Sequence, residues 1–486
     1  MNNKRTAGLA LIAALAGSWA AAQQAGPPRL AAPTLPPGFT VTLFADGLPT
    51  PRHIAVRDNG DVYVTLRSGQ AKFRTTDEPG GIQALRDTDG DGRADVSVRF
   101  GSDDIDTGIA IHGGDLYFSS MTTIYAVALG DELVPQTAPE IVVANLPESC
   151  CGHRTKPITF DGAGHLYTQV GSPSNACQVE PDKPGSPGMM PCTLLDEHGG
   201  VFRFGAEARN QDHARDGHRV SRGHRNVVAL EWNGAAGALY GLMHGRDGLH
   251  QLWPEHFSAA DDIELPAEEF HRFDEGVNLG WPYTYYDPRR HQRMVSPEYG
   301  GDGKTPAEPG RYDEPLIAFP GHWAPDDLVF YTGNAFPARY RNGAFIAFHG
   351  AVVPRRPDVG GYSVVFVPMN AAGDVAGQWE IFADDFESVL TAAGTAGRPA
   401  GLAVGPDGAL YIGDDTGGRI WKVGYDGAAR RYGSLSRMPF TSSAVKARRV
   451  SVRMLPATPT PKANAVADAS SAASMIATRS YRPVVQ

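Results

Sequence analysis

Six places in the chain set a charged or titratable side chain just ahead of a short run of small and apolar residues. Arg52 leads into Ile-Ala-Val, Asp106 into Gly-Ile-Ala-Ile, and His153 with Lys156 into Ile-Thr-Phe. Arg225 and Asn226 lead into Val-Val-Ala-Leu, His322 into Leu-Val-Phe-Tyr, and Arg398 into Gly-Leu-Ala-Val. Brought to equivalent points, four cations and two histidines make a ring of positive charge suited to a small polyanion. The plainer reading of each arginine is an ion pair with a carboxylate of a neighbouring element. His153 lies in Ser-Cys-Cys-Gly-His-Arg-Thr-Lys. Cations around an imidazole lower its proton affinity, which keeps it neutral and able to accept a proton near neutral pH.

Two further stretches suggest a hard cation. Asp87, Asp89, Asp91 and Asp95, in DTDGDGRAD, alternate with glycine and small residues. Such spacing lets a turned loop direct several oxygens at one Ca²⁺. The closing Glu of an EF-hand is missing, so the expectation is a structural Ca²⁺ loop between strands, with a solvated acidic turn as the alternative. Gly245 and Arg246, in LMHGRDGLH, form an irregular turn able to point backbone carbonyls at a cation.

The elements that must position these residues repeat. An apolar run, a turn and a second apolar run recur as PRHIAVRDNGDVYVT from Pro51, GIAIHGGDLYFSS from Gly108 and KPITFDGAGHLYTQVGS from Lys156. They return as RNVVALEWNGAAGALYG from Arg225, DDLVFYTGNAFPARYRNGAFIAFHG from Asp326 and RPAGLAVGPDGALYIGDD from Arg398. Alternation on either side of a Gly, Asp or Asn turn predicts β-hairpins. A hairpin alone buries too little surface to be stable, so repeated ones must pack on each other. Six copies predict an all-β, six-bladed β-propeller over residues 35–433, with a β-sandwich as the alternative. In a propeller the innermost strands line a channel, and the residues preceding them surround its mouth.

Composition agrees. A chain of 486 residues with 57 Gly and 38 Pro suits a turn-rich β architecture, and a formal charge of −10 argues against a nucleic-acid binder. Residues 1–22 read as a signal peptide: Lys4 and Arg5, an apolar stretch from Ala7 to Ala16, and small residues before Gln23. The expectation is a periplasmic or secreted protein with no membrane span after cleavage. Residues 434–486, rich in Ser, Ala, Thr and Pro, read as a disordered tail. Cys177 and Cys192 flank a Pro-, Gly- and Met-rich insertion and invite a disulfide; Cys150 and Cys151 allow a vicinal bridge, free thiols or cross-pairing.

With these motifs in order, the chain resembles the quinoprotein sugar dehydrogenases: soluble glucose dehydrogenase, L-sorbosone dehydrogenase-like proteins and pyranose dehydrogenases. The resemblance runs from about Leu35 to Asp426 and rests on PPGFTVTLFADGLPTPR, CCGHRTKPITFDGAGHLYTQVGS, GHRN, NLGWPY, HWAPDDLVFYTG, GAFIAFHG and RPAGLAVGPDGALYIGDD. It implies a six-bladed propeller holding pyrroloquinoline quinone (PQQ) and Ca²⁺. In that scheme His153 is the catalytic base, with Arg225 assisting at the quinone carbonyl. Arg52, Lys156, Arg225, Asn226, His322, His349 and Arg398 contact the cofactor. The turn at His244, Gly245 and Arg246 offers carbonyls to the catalytic Ca²⁺. The substrate would be a sugar or related alcohol or aldehyde, oxidised by hydride transfer, with electrons leaving to a separate quinone or cytochrome. Gly171-Ser172 stands where the glucose enzyme has Gly-Asp, and HGAVVPRR stands where relatives read HGSWNR, leaving Arg355 as the matching basic residue. Competing readings are a Ca²⁺-dependent lactonase- or esterase-like propeller and a non-enzymatic propeller that binds carbohydrate or protein.

Overall fold

The computed structural model describes residues 32–67, 80–149, 153–351, 360–386 and 397–427. The expected signal peptide, the tail, Cys150, Cys151 and Arg355 lie outside them. Each repeated phrase forms the two inner strands of an antiparallel sheet. The pairs are Pro51–Val56 with Val62–Leu66, Ile109–His112 with Asp115–Ser119, and Thr159–Phe160 with His165–Val170. The other three are Leu230–Asn233 with Ala238–Met243, Pro325–Phe330 with Ala344–His349, and Pro399–Val404 with Leu410–Asp414. Two outer strands complete each sheet, giving six blades. The second blade gains a short parallel strand, Gln211–Asp212. The ring is closed by the strand Phe39–Ala45, which pairs with Arg419–Tyr425 as the outermost strand of the last blade.

The core is divided among the seams between blades rather than gathered at one centre. Each blade presents alternate apolar residues to each neighbour, so the seams fill with interdigitated side chains. Tyr63 and Ile82 of the first blade meet Leu116 and Phe118 of the second. Tyr240 and Phe270 of the fourth meet Phe330 and Phe348 of the fifth. Phe345 and Phe382 of the fifth meet Leu410 and Trp421 of the sixth. Inner strands approach so closely that some positions admit only glycine; a Cβ at Gly401 would collide with the carbonyl of Arg52 across a seam.

The register places the site. Pro51, Leu66 and Gly81 are aligned at one end of the first blade, and Val56, Val62, Leu85 and Arg86 near the other. Arg52 therefore belongs to the end that carries the connections between blades and between second and third strands. The insertion 171–199 joins a second strand to a third, so it lies at that same end, and a disulfide between Cys177 and Cys192 crosses it with a Cα–Cα distance of 6.3 Å. No helix among the described residues is long and apolar enough to cross a membrane.

Candidate active site

Two groups of side chains gather at this end of the channel. The first forms where the first, fifth and sixth blades meet. Arg52, only 1% exposed, ion-pairs with Asp326 at 2.9 Å and Asp415 at 3.1 Å. Burial opposes its charge, but these two carboxylates more than offset that and hold it protonated. His349 sits on the same acids, with Nε2 2.9 Å from Asp415 and Nδ1 3.6 Å from Asp326. Burial, reinforced by Arg398, pushes the imidazole down to about 4, so it is neutral near neutral pH. Arg398 donates through Nε to the His349 carbonyl at 2.7 Å and through Nη2 to the Gly350 carbonyl, and its guanidinium lies over the Tyr362 ring. The chain closure brings these residues together; Arg52 and Asp415 are 363 positions apart.

The second group is built by the third and fourth blades. His153 Nδ1 lies 2.8 Å from the carbonyl oxygen of Ser172. A carbonyl can only accept, so Nδ1 carries the proton and Nε2 presents its lone pair. Burial, then the charge of Arg225, pushes this imidazole down to about 3. Ser172 also donates its backbone N–H to the Arg225 carbonyl at 2.8 Å, so one residue orients the base and ties it to the next blade. Its own position depends on Gly171, where a Cβ would strike the His153 carbonyl. A backbone carbonyl thus orients the imidazole.

Arg225 spreads its guanidinium over three acceptors: Asn175 Oδ1 at 3.1 Å, the Gly245 carbonyl at 2.9 Å and Asp247 Oδ2 at 2.6 Å. Asp247 has a side chain 63% exposed and also faces His322 Nδ1 at 3.4 Å. Arg225 and His322 hold its carboxyl well below the usual range, against the effect of desolvation. His322, at positive φ, is pushed up to about 9: burial opposes its charge, but Asp247 and then Glu268 favour it. Asn226 accepts from Gln169 at 3.3 Å.

The turn at His244 to Arg246 lies against this group. His244 Nε2 is 2.7 Å from the Pro325 carbonyl, and Gly245 donates to Glu268 at 2.9 Å. The Arg246 side chain is buried against Glu298 at 2.5 Å, so this residue offers the mouth its backbone. The Gly245 carbonyl accepts one hydrogen bond and keeps a second lone pair. The Arg246 carbonyl accepts none from the described residues. Adjacent carbonyls beside an acidic side chain are the donor set a hard cation takes, and guanidinium groups beside them suit an anionic planar cofactor. The residues fit both groups.

Three features of the structure qualify the ring expected of the sequence. Lys156 is fully enclosed: its Nζ donates to the Arg154 carbonyl at 3.0 Å, and burial pushes it down to about 7. Asp106, which also acts on Arg52, favours its charge against that burial. Asp106 is spent on Arg154 at 2.8 Å. The mouth is also less positive than its cations suggest, because Asp326, Asp415 and Asp247 each answer one or more of them. Sequence reading missed these three acids, though two lie within quoted motifs, HWAPDD and GDD, and the third directly follows Gly245-Arg246. Committed to Arg52 and His349, Asp326 and Asp415 are not available as the open carboxylate cage a metal-dependent hydrolase would need.

The acidic loop is elsewhere. It joins Gly81–Arg86 to Val96–Phe100 at the end of the first blade away from Arg52. Asp87, Asp89 and Asp95 bring carboxylate oxygens within 4.8 Å of one another. Asp91 does not join them; it accepts from the Arg93 N–H at 2.8 Å.

Residues 33–426 match the TrAA12-like family, and the chain belongs to this family of PQQ-dependent oxidoreductases. Its fold is similar to the holo PQQ domain of pyranose dehydrogenase from Coprinopsis cinerea, with a TM-score of 0.64 and 19% identity over 81% of this chain and 97% of that one. The calcium structure of a Trichoderma reesei enzyme of family AA12 gives 0.63 and 20% identity, over 81% and 97%. The apo aldose sugar dehydrogenase of Escherichia coli gives 0.53 and 17%, over 80% and 99%. An uncharacterized protein of Borreliella burgdorferi is 27% identical over 403 residues, 81% of this chain and 90% of its own length.

Proposed function

We propose that this protein is an exported, Ca²⁺-dependent sugar dehydrogenase that oxidises a pyranose, sorbosone-like or related alcohol or aldehyde group, with His153 as the general base. The observation that carries this is the hydrogen bond from His153 Nδ1 to the Ser172 carbonyl, which leaves Nε2 unprotonated beside Arg225 and Asp247. Arg52, His349 and Arg398 would hold PQQ from one side, and Arg225 and Asn226 from the other; the Gly245 and Arg246 carbonyls would hold Ca²⁺. When bound, these groups supply a two-electron acceptor and a Lewis acid. His153 Nε2 then takes the substrate's hydroxyl proton, and the Arg225 N–H groups stabilise negative charge developing on that oxygen. Asp247 balances the imidazolium that forms.

Electrons leave to a separate acceptor of quinone or cytochrome type. Export is supported by the basic and then apolar start of the chain and by the disulfide. The same reading makes the Asp87, Asp89 and Asp95 loop a structural Ca²⁺ site. The test is a dye-coupled assay with added PQQ and Ca²⁺ over aldoses, sorbosone and simple alcohols. His153→Ala should keep the PQQ absorbance titration and lose turnover by about 10²–10⁴-fold; undiminished turnover in that variant overturns the assignment.

A further inference from the structure

Outside the mouth, between the third and fourth blades, lies a second cavity of about 310 Å³. Its walls include Tyr283, Tyr312, Arg222, Asn278, Asp196 and Arg311. None of these serves the site described above. The cavity is nevertheless its close neighbour. Arg222 is three residues before Arg225, and Trp281 stands beside both: its N–H donates to the Gly223 carbonyl at 3.0 Å and its indole to the Asn175 carbonyl at 3.0 Å. Asn175 in turn accepts from Arg225.

The cavity is built to hold its shape. The disulfide fixes one wall, and Cys192 donates its backbone N–H to the Tyr283 hydroxyl at 3.0 Å. Tyr283 is braced edge-on against Tyr299, with ring centroids 4.8 Å apart. Arg222 and Asn278 are joined by a parallel backbone bridge, and Asn278 is anchored to Asp313 at 2.8 Å. Side chains on these anchored backbones keep unused hydrogen-bonding capacity. The Arg222 guanidinium, the Asn278 amide nitrogen and the Asp196 carboxylate have no hydrogen-bond partner among the described residues.

That inventory selects a ligand class. Tyr283, and Tyr312 on the side not covered by the Arg311 guanidinium, offer aromatic surface to weakly polar C–H groups, while Arg, Asn and Asp offer donors and acceptors to adjacent hydroxyls. Charge is nearly balanced, because Arg311 is already within 3.5 Å of Glu308 and Asp196 opposes Arg222. A phosphate or a polyanion is therefore disfavoured. The volume is at the lower end of the ~300–1,000 Å³ of small-molecule sites, room for about one or two sugar rings. We infer that this cavity is a binding site for the non-reacting units of a neutral oligosaccharide, so that the substrates are glycan chains and not only free monosaccharides. The inference rests on the reading of the mouth as a sugar-oxidising centre.

The test is calorimetric titration of the full chain with glucose, cellotetraose and maltotetraose, without PQQ so that no turnover occurs. Saturable binding of at least one tetrasaccharide is expected, weakened about tenfold by Tyr312→Ala and by Arg222→Gln, and unchanged by His153→Ala. Arg222 is exposed, so Arg222→Gln decides the matter if Tyr312→Ala does not fold. In the loaded enzyme both variants should raise KM for the tetrasaccharide and leave monosaccharide oxidation unchanged. Absence of tetrasaccharide binding, or binding indifferent to both substitutions, overturns the inference. Monosaccharide oxidation without tetrasaccharide binding leaves the proposed function standing alone. Cavity-dependent binding without oxidation of any sugar keeps the glycan site and removes the catalytic reading.

Discussion

The two halves of the channel mouth use the same residue types under opposite conditions. Around Arg52, His349 and Arg398, cations are enclosed together with the carboxylates and carbonyls that pair with them. Around His153 and Arg225, the carboxylate that answers the cations, Asp247, stands open to solvent. A buried ion pair holds its geometry rigidly, because losing one partner strands a charge in a poor dielectric. An exposed pair contributes little to stability and rearranges cheaply. The first half is suited to gripping a cofactor, and the second to exchanging protons with a passing substrate.

Substitutions can break this contrast. After the turnover loss in His153→Ala, the largest effect should come from Asp326→Asn, which leaves Arg52 with one fewer partner. A loss of roughly 3–5 kcal/mol is expected in urea unfolding. Asp247→Asn, at a carboxylate that is itself open to solvent, should cost clearly less in the same measurement. Similar losses at both positions would erase the distinction between the halves. A control from outside either half is the acidic loop: a Ca²⁺ ion bound there, at a tenfold excess over its Kd, would add about 1.4 kcal/mol. Asp87→Asn should abolish that part of the Ca²⁺-dependent rise in Tm while leaving the PQQ titration intact.

The smallest effect is a pH dependence in the open half. His322 titrates at about 9, above its ordinary 6.5. A raised value means that the charged His322–Asp247 pair adds stability fully below 6.5 and loses that contribution as pH rises through about 9. The difference in unfolding midpoint between the wild type and His322→Gln should therefore shrink between about pH 6 and pH 10. A difference that grows over this range would reverse the assigned ionisation.

Much of the scaffold was legible because it is local. Each hairpin is written in a dozen or so contiguous residues, with alternation and a turn, and each of the six phrases became an inner strand pair. His153 and Arg225 were legible by type and place. The acids were not. Asp326 sits in APDD and Asp415 in GDD, where an acidic residue at the end of a strand looks like an ordinary turn former. Lys156 was legible by its place before an inner strand, but its enclosure and its hydrogen bond to the Arg154 carbonyl were not, because they depend on packing around it.

The sequence by itself determined the hairpins, their number, the candidate base and the residue types available at the mouth, since periodicity and turn chemistry act over a few residues. Only the tertiary structure decided which carboxylate answers which guanidinium, that the Ser172 carbonyl orients His153, and that a polar cavity opens behind Trp281. Those pairings join segments hundreds of positions apart, and they exist only once Phe39–Ala45 has joined the last blade and closed the ring.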